Sequence, residues 1–228
     1  KKIANKYNLK LIEDAAQSLG GKYNGKFSGL SADISCTSFF PTKTLGCFGD
    51  GGAIFTNNKI ISSKLKSLRL NGKDNNKFKI VGTNSRLDTL QATVLLEKLK
   101  YFDHETSERK KIAKKYINEL SRYCKTPKFN DDYSNVYSVF TIIVKNRKKL
   151  ILEFNKNKLP YAIYYKRSLH KEPMFKKFKF EDKNFHNSIQ SSKNSISLPI
   201  YPGLKKSLQN KIISLIKSQN KKTSKIIN

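Results

Sequence analysis

The chain has 228 residues, which is enough for one or two domains that each bury a core. It contains no run of about 18 apolar residues, so the sequence indicates no membrane-spanning helix. The formal net charge is +29, but only six of the 46 basic residues are arginines and the lysines are dispersed, so we expect no specific nucleic-acid partner.

The spacing of apolar residues alternates between helical and extended patterns. In chain order it predicts a helix end at 1–7, strands at 9–13, 34–40 and 53–56, helices at 60–70, 87–99 and 105–120, a strand at 137–144, and helices at 147–157, 187–194 and 204–218. This alternation predicts an α/β fold. We place a domain boundary near residue 104, and we expect the polar tail at 217–228 to fray.

Three polar residues stand at or after the ends of two predicted strands. Asp14 follows the first strand, Ser38 lies near the end of the second, and Lys43 follows it. These residue types suit a pyridoxal phosphate (PLP) site: the lysine can condense with the cofactor aldehyde, the carboxylate can keep the pyridine nitrogen protonated, and the hydroxyl can bind the phosphate. In a lysine-rich chain, a lysine before the Gly-rich turn at 50–52 also arises by chance, and that alternative stays open.

The cysteines and histidines show no spacing typical of a metal site. Cys36, Cys47 and Cys124 are odd in number, so we expect no disulfide framework and no metal, which fits a cytoplasmic protein. Cys36 lies within a predicted strand, and we expect it to be a small core residue. The three histidines lie far apart along the chain.

Several longer segments carry a family resemblance. The segments LIEDAAQSLGGKYNGKFSG, SADISCTSFFPTKTLGCFGDGGAIFTNN and VGTNSRLDTLQATVLLEKL resemble, in this order, the DegT/DnrJ/StrS family of sugar aminotransferases, which are fold-type I PLP enzymes. The resemblance continues through LPYAIYYKRSLHKEPMF and ISLPIYPGL. It implies that residues 1–104 are the C-terminal part of a large PLP-binding domain with a mainly parallel sheet, and that 105–228 form a smaller α+β domain.

The same resemblance implies roles for the first group of residues. Lys43 matches the catalytic lysine that binds the cofactor covalently, and Asp14 matches the partner of the pyridine nitrogen. Gln17 matches a residue on the hydroxyl side of the ring. Ser38 matches a phosphate ligand.

Further matches concern the partner subunit and the substrate. Asn84, in Gly-Thr-Asn-Ser-Arg, matches an asparagine that reaches the phosphate in the neighbouring subunit, which implies a homodimer with shared sites. Arg86 matches an arginine that can face a sugar carboxylate, and bracing the subunit interface is an equal alternative. Tyr165 matches a substrate-side tyrosine. Many members have histidine before that tyrosine, whereas this chain has Tyr164.

The chain departs from the family at its start. It opens at Lys1, and the N-terminal third of the family pattern is not found in it. We therefore expect the chain to be part of a longer protein, with a natural short form as the alternative.

These observations lead to one expected function and two rivals. We expect a PLP-dependent aminotransferase that transfers an amino group, from glutamate, to a nucleotide-linked keto-sugar. The sequence of these segments resembles the branch that acts on UDP-3-keto-N-acetylhexosaminuronic acids for surface polysaccharide synthesis. A sugar dehydratase of the same family would carry histidine in place of Lys43, which argues against that rival. A non-catalytic partner or regulatory protein on the same fold is the second rival.

Overall fold

A computed structural model of the chain describes residues 1–128 and 132–219. The described residues divide into two compact units. The first contains Lys1–Thr106 together with 132–138, and the second contains 107–128 with 139–219. Each unit has its own core.

The helices and strands alternate along the chain. The helices are α1 (Lys2–Lys6), α2 (Lys59–Arg69), α3 (Thr89–Leu99), α4 (Phe102–Leu120), α5 (Arg147–Lys156), α6 (His186–Asn194) and α7 (Lys206–Gln219). The strands are β1 (Ile12–Asp14), β2 (Lys22–Tyr23), β3 (Lys26–Phe27), β4 (Ile34–Ser38), β5 (Gly52–Phe55), β6 (Lys73–Asp74), β7 (Lys77–Phe78), β8 (Tyr133–Ser134), β9 (Phe140–Ile143) and β10 (Ser195–Leu198). Short 3-10 helices occupy Leu169–Lys171, Pro173–Phe178 and Asp182–Phe185.

The principal sheet of the first unit has the order β1-β4-β5. Strands β1 and β4 are parallel, with Asp14 paired to Cys36, whereas β4 and β5 are antiparallel, with Ser38 paired to Gly52. The carboxyl ends of β1 and β4 therefore lie at the same edge of the sheet. Two other sheets complete the unit, one of order β3-β2-β8 and one formed by the hairpin β6-β7.

Burial alternates along β4 as expected for a strand. Thr37 is buried on one face, while Cys36 and Ser38 are half-buried on the other. The side chains of directly paired residues stand on the same face, so Asp14 shares the face of Cys36 and Ser38.

The second unit is built on the antiparallel pair β9-β10 and on helices of which α4, α5 and α7 supply core residues. Its largest fully buried side chains are Tyr116, Phe140, Phe154, Leu120, Ile142, Leu150, Ile196, Ile212 and Ile216. The ring of Tyr116 packs on Phe140 with centroids 5.1 Å apart, and its hydroxyl donates to the Pro199 carbonyl at 3.2 Å. Burial raises the pKa of the Cys124 thiol in this core to about 12.

The longer elements predicted from the sequence are confirmed, with shifted ends. Helix α3 begins at Thr89 rather than residue 87, because Asp88 is its extended N-cap, and α4 begins at Phe102 rather than 105. Residues 9–11 are not part of β1. The hairpins, β8, β10 and the 3-10 helices were not predicted. The part of the tail at 220–228 lies outside the described residues.

The expectation that Cys36 is a core residue is wrong: it is half-buried because it shares the more open face of β4 with Ser38. The expected boundary near residue 104 lies close to the division after Thr106, but the return of 132–138 to the first unit was not foreseen. The assignment of the two units to functional domains stays a prediction.

Candidate active site

Asp14 ends β1 with its carboxylate held by its own backbone. The amide of Ala16 donates to Oδ1 of Asp14 at 3.0 Å, in the local turn that short acidic side chains favour. The other oxygen, Oδ2, makes no hydrogen bond within the described residues. The residue is exposed, so this oxygen is available to a ligand at the edge of the sheet.

Ser38 stands at the end of β4, on the same face as Asp14. Its Oγ accepts a hydrogen bond from the amide of Phe40 at 3.2 Å, which leaves the hydroxyl hydrogen to be donated elsewhere. Gly52 is its partner across the β4-β5 ladder, so no side chain stands beside it on β5. No β5 side chain therefore covers the Ser38 hydroxyl from that position.

Lys43 lies in the loop at residues 39–51, called the Lys43 loop below. The amide of Lys43 donates to the Phe40 carbonyl at 2.9 Å, which forms a tight turn. The side chain is half-buried, and its Nζ makes no hydrogen bond or ion pair with any described residue. The backbone of Lys43 is therefore fixed, while its amine stays available to a ligand.

The Lys43 loop is closed by internal hydrogen bonds and by packing. The amide of Phe39 donates to the carbonyl oxygen of Gly51 at 2.8 Å, and the amide of Cys47 donates to the carbonyl oxygen of Phe39 at 2.8 Å. Phe39, Leu45 and Cys47 form a small buried cluster with Leu95 of helix α3. The loop is therefore anchored in a small buried core.

Two residues of α3 that the sequence interpretation missed also contact this loop. Gln91 accepts a hydrogen bond from the amide of Phe48 at 2.8 Å, and Lys98 donates to the Gly46 carbonyl at 2.7 Å. Their spacing of seven residues, with Leu95 between them, places all three on one helix face. That spacing was the available signal, although it does not reveal which loop the face contacts.

Asn84 and Arg86 lie together in the first unit, in an exposed segment. Nε of Arg86 donates to Oδ1 of Asn84 at 3.3 Å, so the amide nitrogen of Asn84 remains free to donate to an anion. The segment contacts the end of α2. The amide of Thr83 donates to the Leu68 carbonyl at 2.8 Å, and Asn84 forms a β-bridge with Leu70.

The other two predicted site residues have separate surroundings. Gln17 is exposed, and its carbonyl accepts from the Ser138 hydroxyl at 3.2 Å. Tyr165 belongs to the second unit and is 76% exposed, with its ring edge-on to Tyr164 at 5.8 Å. The structure therefore brings Asp14 and Ser38 together at one sheet edge, sets Lys43 in the following loop, and pairs Asn84 with Arg86.

Within 1–128 and 132–219, no three histidine, cysteine or acidic side chains converge to hold a metal ion. No helix in those ranges combines the length and apolar character that crossing a bilayer demands.

Comparison with known proteins identifies the family. The model of the DegT/DnrJ/EryC1/StrS aminotransferase family matches residues 1–217. The chain belongs to this family. The DegT/DnrJ/EryC1/StrS enzymes are PLP-dependent sugar aminotransferases, so the resemblance found in the sequence is confirmed.

One curated relative and one solved structure show the extent of the similarity. The UDP-2-acetamido-2-deoxy-3-oxo-D-glucuronate aminotransferase of Pseudomonas aeruginosa is 39% identical over 204 residues, which are 89% of this chain and 56% of the relative. A DegT DnrJ EryC1 StrS aminotransferase from Brucella abortus superposes with a TM-score of 0.91 at 36% identity, over 97% of this chain and 60% of that one. The fold is therefore the α/β fold of the family, and the chain spans little more than half the length of these relatives.

A further solved structure bears on the cofactor. NtdA from Bacillus subtilis, solved with bound cofactor PMP, has a TM-score of 0.81 at 28% identity, over 94% of this chain and 51% of that protein. The residues present here fit such a cofactor. Asp14 offers an unpaired carboxylate oxygen, Ser38 a hydroxyl hydrogen and Lys43 an unpaired amine.

Proposed function

We propose that the protein is a PLP-dependent aminotransferase that transfers an amino group from glutamate to a nucleotide-linked keto-sugar. One observation carries the proposal: an unpaired lysine amine stands on an anchored loop directly after the sheet edge that holds Asp14 and Ser38. A carboxylate, a hydroxyl and an amine in this order match the needs of PLP chemistry. Membership of the DegT/DnrJ/EryC1/StrS family supports the same reaction.

The chemistry can be divided between the cofactor and the chain. When bound, PLP supplies an electron sink for the carbon that loses or gains the amine. Asp14 would stabilise a proton on the ring nitrogen through Oδ2, and Ser38 would donate to the phosphate. Gln17 would lie on the hydroxyl side of the ring. Lys43 would bind the cofactor covalently and would take and return a proton at Nζ, as a general acid and base.

The substrate proposal is a UDP-3-keto-N-acetylhexosaminuronic acid, used in surface polysaccharide synthesis. The name of the Pseudomonas aeruginosa relative supports it, since that enzyme acts on a 3-oxo-glucuronate derivative. Arg86 would bind the sugar carboxylate, because its two terminal nitrogens have no partner among the described residues. Tyr165 would contact the sugar. The net charge of +29 would attract an anionic nucleotide-sugar.

The assembly proposal is a cytoplasmic homodimer with two shared sites. Asn84 would donate its free amide nitrogen to the cofactor phosphate of the neighbouring subunit. This fits the orientation that Arg86 imposes on the Asn84 amide. The division of the chain into a large PLP-binding domain and a smaller domain belongs to the same proposal.

Covalent trapping tests the proposal directly. The protein is incubated with PLP, reduced with borohydride and digested, and the labelled peptide is identified by mass spectrometry. We expect the label on Lys43, and neither label nor transamination in Lys43→Ala. A label on another lysine would overturn the site, and a wild-type protein with no label would favour the non-catalytic rival.

A further inference from the structure

We propose that Gln91 and Lys98 are positioning residues that hold the Lys43 loop, and through it the Lys43 amine, in its reactive place. The inference rests on the proposed function, because it assigns these two residues to the same site. Both lie on α3, four residues before and three after the buried Leu95. All three side chains therefore stand on the face that packs against the loop.

Gln91 holds the far end of the loop. Its Oε1 accepts from the amide of Phe48 at 2.8 Å, although the two residues are 43 positions apart in the sequence. Gly49 lies against the same amide group, since a Cβ at Gly49 would fall 3.1 Å from Nε2 of Gln91. A side chain of another shape at position 91 would lose the hydrogen bond and disturb this contact.

Lys98 holds the middle of the loop. Its Nζ donates to the Gly46 carbonyl at 2.7 Å, and a hydrogen bond from a charged donor is stronger than a neutral one. Gly46 packs closely against the turn before Lys43, since a Cβ there would lie 2.7 Å from the carbonyl oxygens of both Phe40 and Pro41. The Phe40 carbonyl in turn accepts a hydrogen bond from the amide of Lys43. A continuous set of contacts thus leads from Lys98 to Lys43.

This arrangement explains why an amine at the sheet edge can be held still although its loop borders solvent. Proton transfer and covalent attack depend on the position of the nucleophile to a fraction of an ångström. Loss of either contact would let the loop shift without unfolding the protein, since Phe39, Leu45 and Cys47 would stay in the core. The turnover rate should therefore fall more than the affinity for the sugar.

The test uses the full-length protein and four variants. Gln91→Leu and Lys98→Met each remove one contact. Gln91→Glu keeps an acceptor for the Phe48 amide and serves as the rescue. Lys100→Met is the matched control, because it makes the same change two positions away, where the Nζ atom pairs with Glu97 at the surface and with no other described residue.

Two measurements are made on each variant. The first is hydrogen exchange of the Phe48 amide, which we expect to be about three- to tenfold faster in Gln91→Leu, the effect of losing one ordinary hydrogen bond. The second is kcat and KM for the keto-sugar, with the yield of borohydride-fixed PLP on Lys43. We expect kcat and that yield to fall about tenfold in Gln91→Leu and Lys98→Met, with KM within about twofold. Gln91→Glu and Lys100→Met should match the wild type.

The outcomes separate the inference from the proposed function. Unchanged exchange in Gln91→Leu would show that Gln91 does not hold the loop. Faster exchange with unchanged kcat and label yield would show that Gln91 holds the loop but does not position the Lys43 amine. This result would overturn the inference and leave the proposed function intact. A wild-type protein that takes no label on Lys43 would overturn both the function and the catalytic part of the inference. The exchange data would still show whether α3 holds the loop.

Discussion

Gly82 lies directly against the backbone of Gly72. A Cβ on Gly82 would fall 2.2 Å from the amide nitrogen of Gly72, and a Cβ on Gly72 would fall 1.6 Å from the Ile80 carbonyl oxygen. Gly72 also has a φ of +80°, which glycine tolerates best. This contact fixes the start of the segment that carries Asn84 and Arg86.

The contact predicts the effect of Gly82→Ala. The added methyl group would push the backbone away from Gly72, which should cost about 1–3 kcal/mol of stability, as overpacking usually does. It should also displace Asn84 and so reduce activity. Gly25→Ala is the control, because it has a φ of +74° and open space around its Cβ, and it should cost about 1–2 kcal/mol from backbone strain alone.

The measurements are urea unfolding and kcat/KM for both variants. We expect both to lose stability and only Gly82→Ala to lose activity beyond the loss of folded protein. Equal activities in the two variants would show that the Gly72 contact does not serve the Asn84 segment.

A shared site predicts complementation between inactive subunits. Lys43→Ala lacks the catalytic amine, and Asn84→Ala lacks the donor that we assign to the neighbouring subunit. In a mixed dimer, one of the two sites would contain both wild-type residues. Mixing the two variants should therefore restore part of the activity.

Complementation is measured as transamination after subunit exchange, and exchange is verified with tagged chains. Each variant mixed with itself is the control. If mixed dimers form but stay inactive, Asn84 does not act across the interface.

Local sequence pattern was sufficient to predict the strands that carry Asp14 and Ser38. Asp14 and Ser38 end strands that apolar periodicity predicts, and their parallel strands meet at one edge. The short hairpins were missed because two-residue strands contain too few residues to show a period. Segment 169–185 was missed because its 3-10 helices have no regular apolar face, although His170 stacks on Phe185 with ring centroids 4.1 Å apart.

The supports of the site depend on contacts between distant parts of the chain. The Lys98 ammonium donates to the carbonyl of Gly46, 52 positions away, and no local sequence pattern predicts such a pair. The approach of Gly82 to Gly72 likewise depends on the folded hairpin between them. The family resemblance did not predict either contact.

The planar guanidinium group of Arg86 predicts that a substitution there lowers activity on one class of sugar more than on another. Its terminal nitrogens can bind a carboxylate in two parallel hydrogen bonds, which a lysine cannot do. Arg86→Lys should therefore lose roughly 1.5–3 kcal/mol on the carboxylated sugar, about ten- to more than a hundredfold in kcat/KM. A matched neutral keto-sugar should lose less.

Both sugars are assayed in wild type and mutant, with the dimer content measured by sizing. Equal losses on the two sugars with an intact dimer would remove the carboxylate role. Loss of the dimer would instead support the alternative in which Arg86 braces the interface.

The ion pair between Glu119 and Lys217 predicts a pH-dependent contribution to stability. It joins α4 to α7 within the second unit, and the hydrogen bond from Lys217, followed by its charge, holds the pKa of Glu119 below the usual range. Because the folded pKa is lowered, the pair stabilises the protein at pH values above the ordinary glutamate pKa of about 4.3. The contribution is lost as the pH falls through the folded value.

Glu119→Gln should therefore lower the melting temperature at about pH 7, and the difference from wild type should shrink towards zero as the pH falls below the lowered folded pKa of Glu119, where the carboxylate is protonated in both states. The effect should be small, because both side chains are partly exposed, and added salt should reduce it further. Melting curves of the two proteins across this pH range, at low and high salt, provide the measurement. A difference in melting temperature that stays constant down to low pH would mean that the glutamine disturbs packing between α4 and α7, and that the charge of Glu119 contributes nothing.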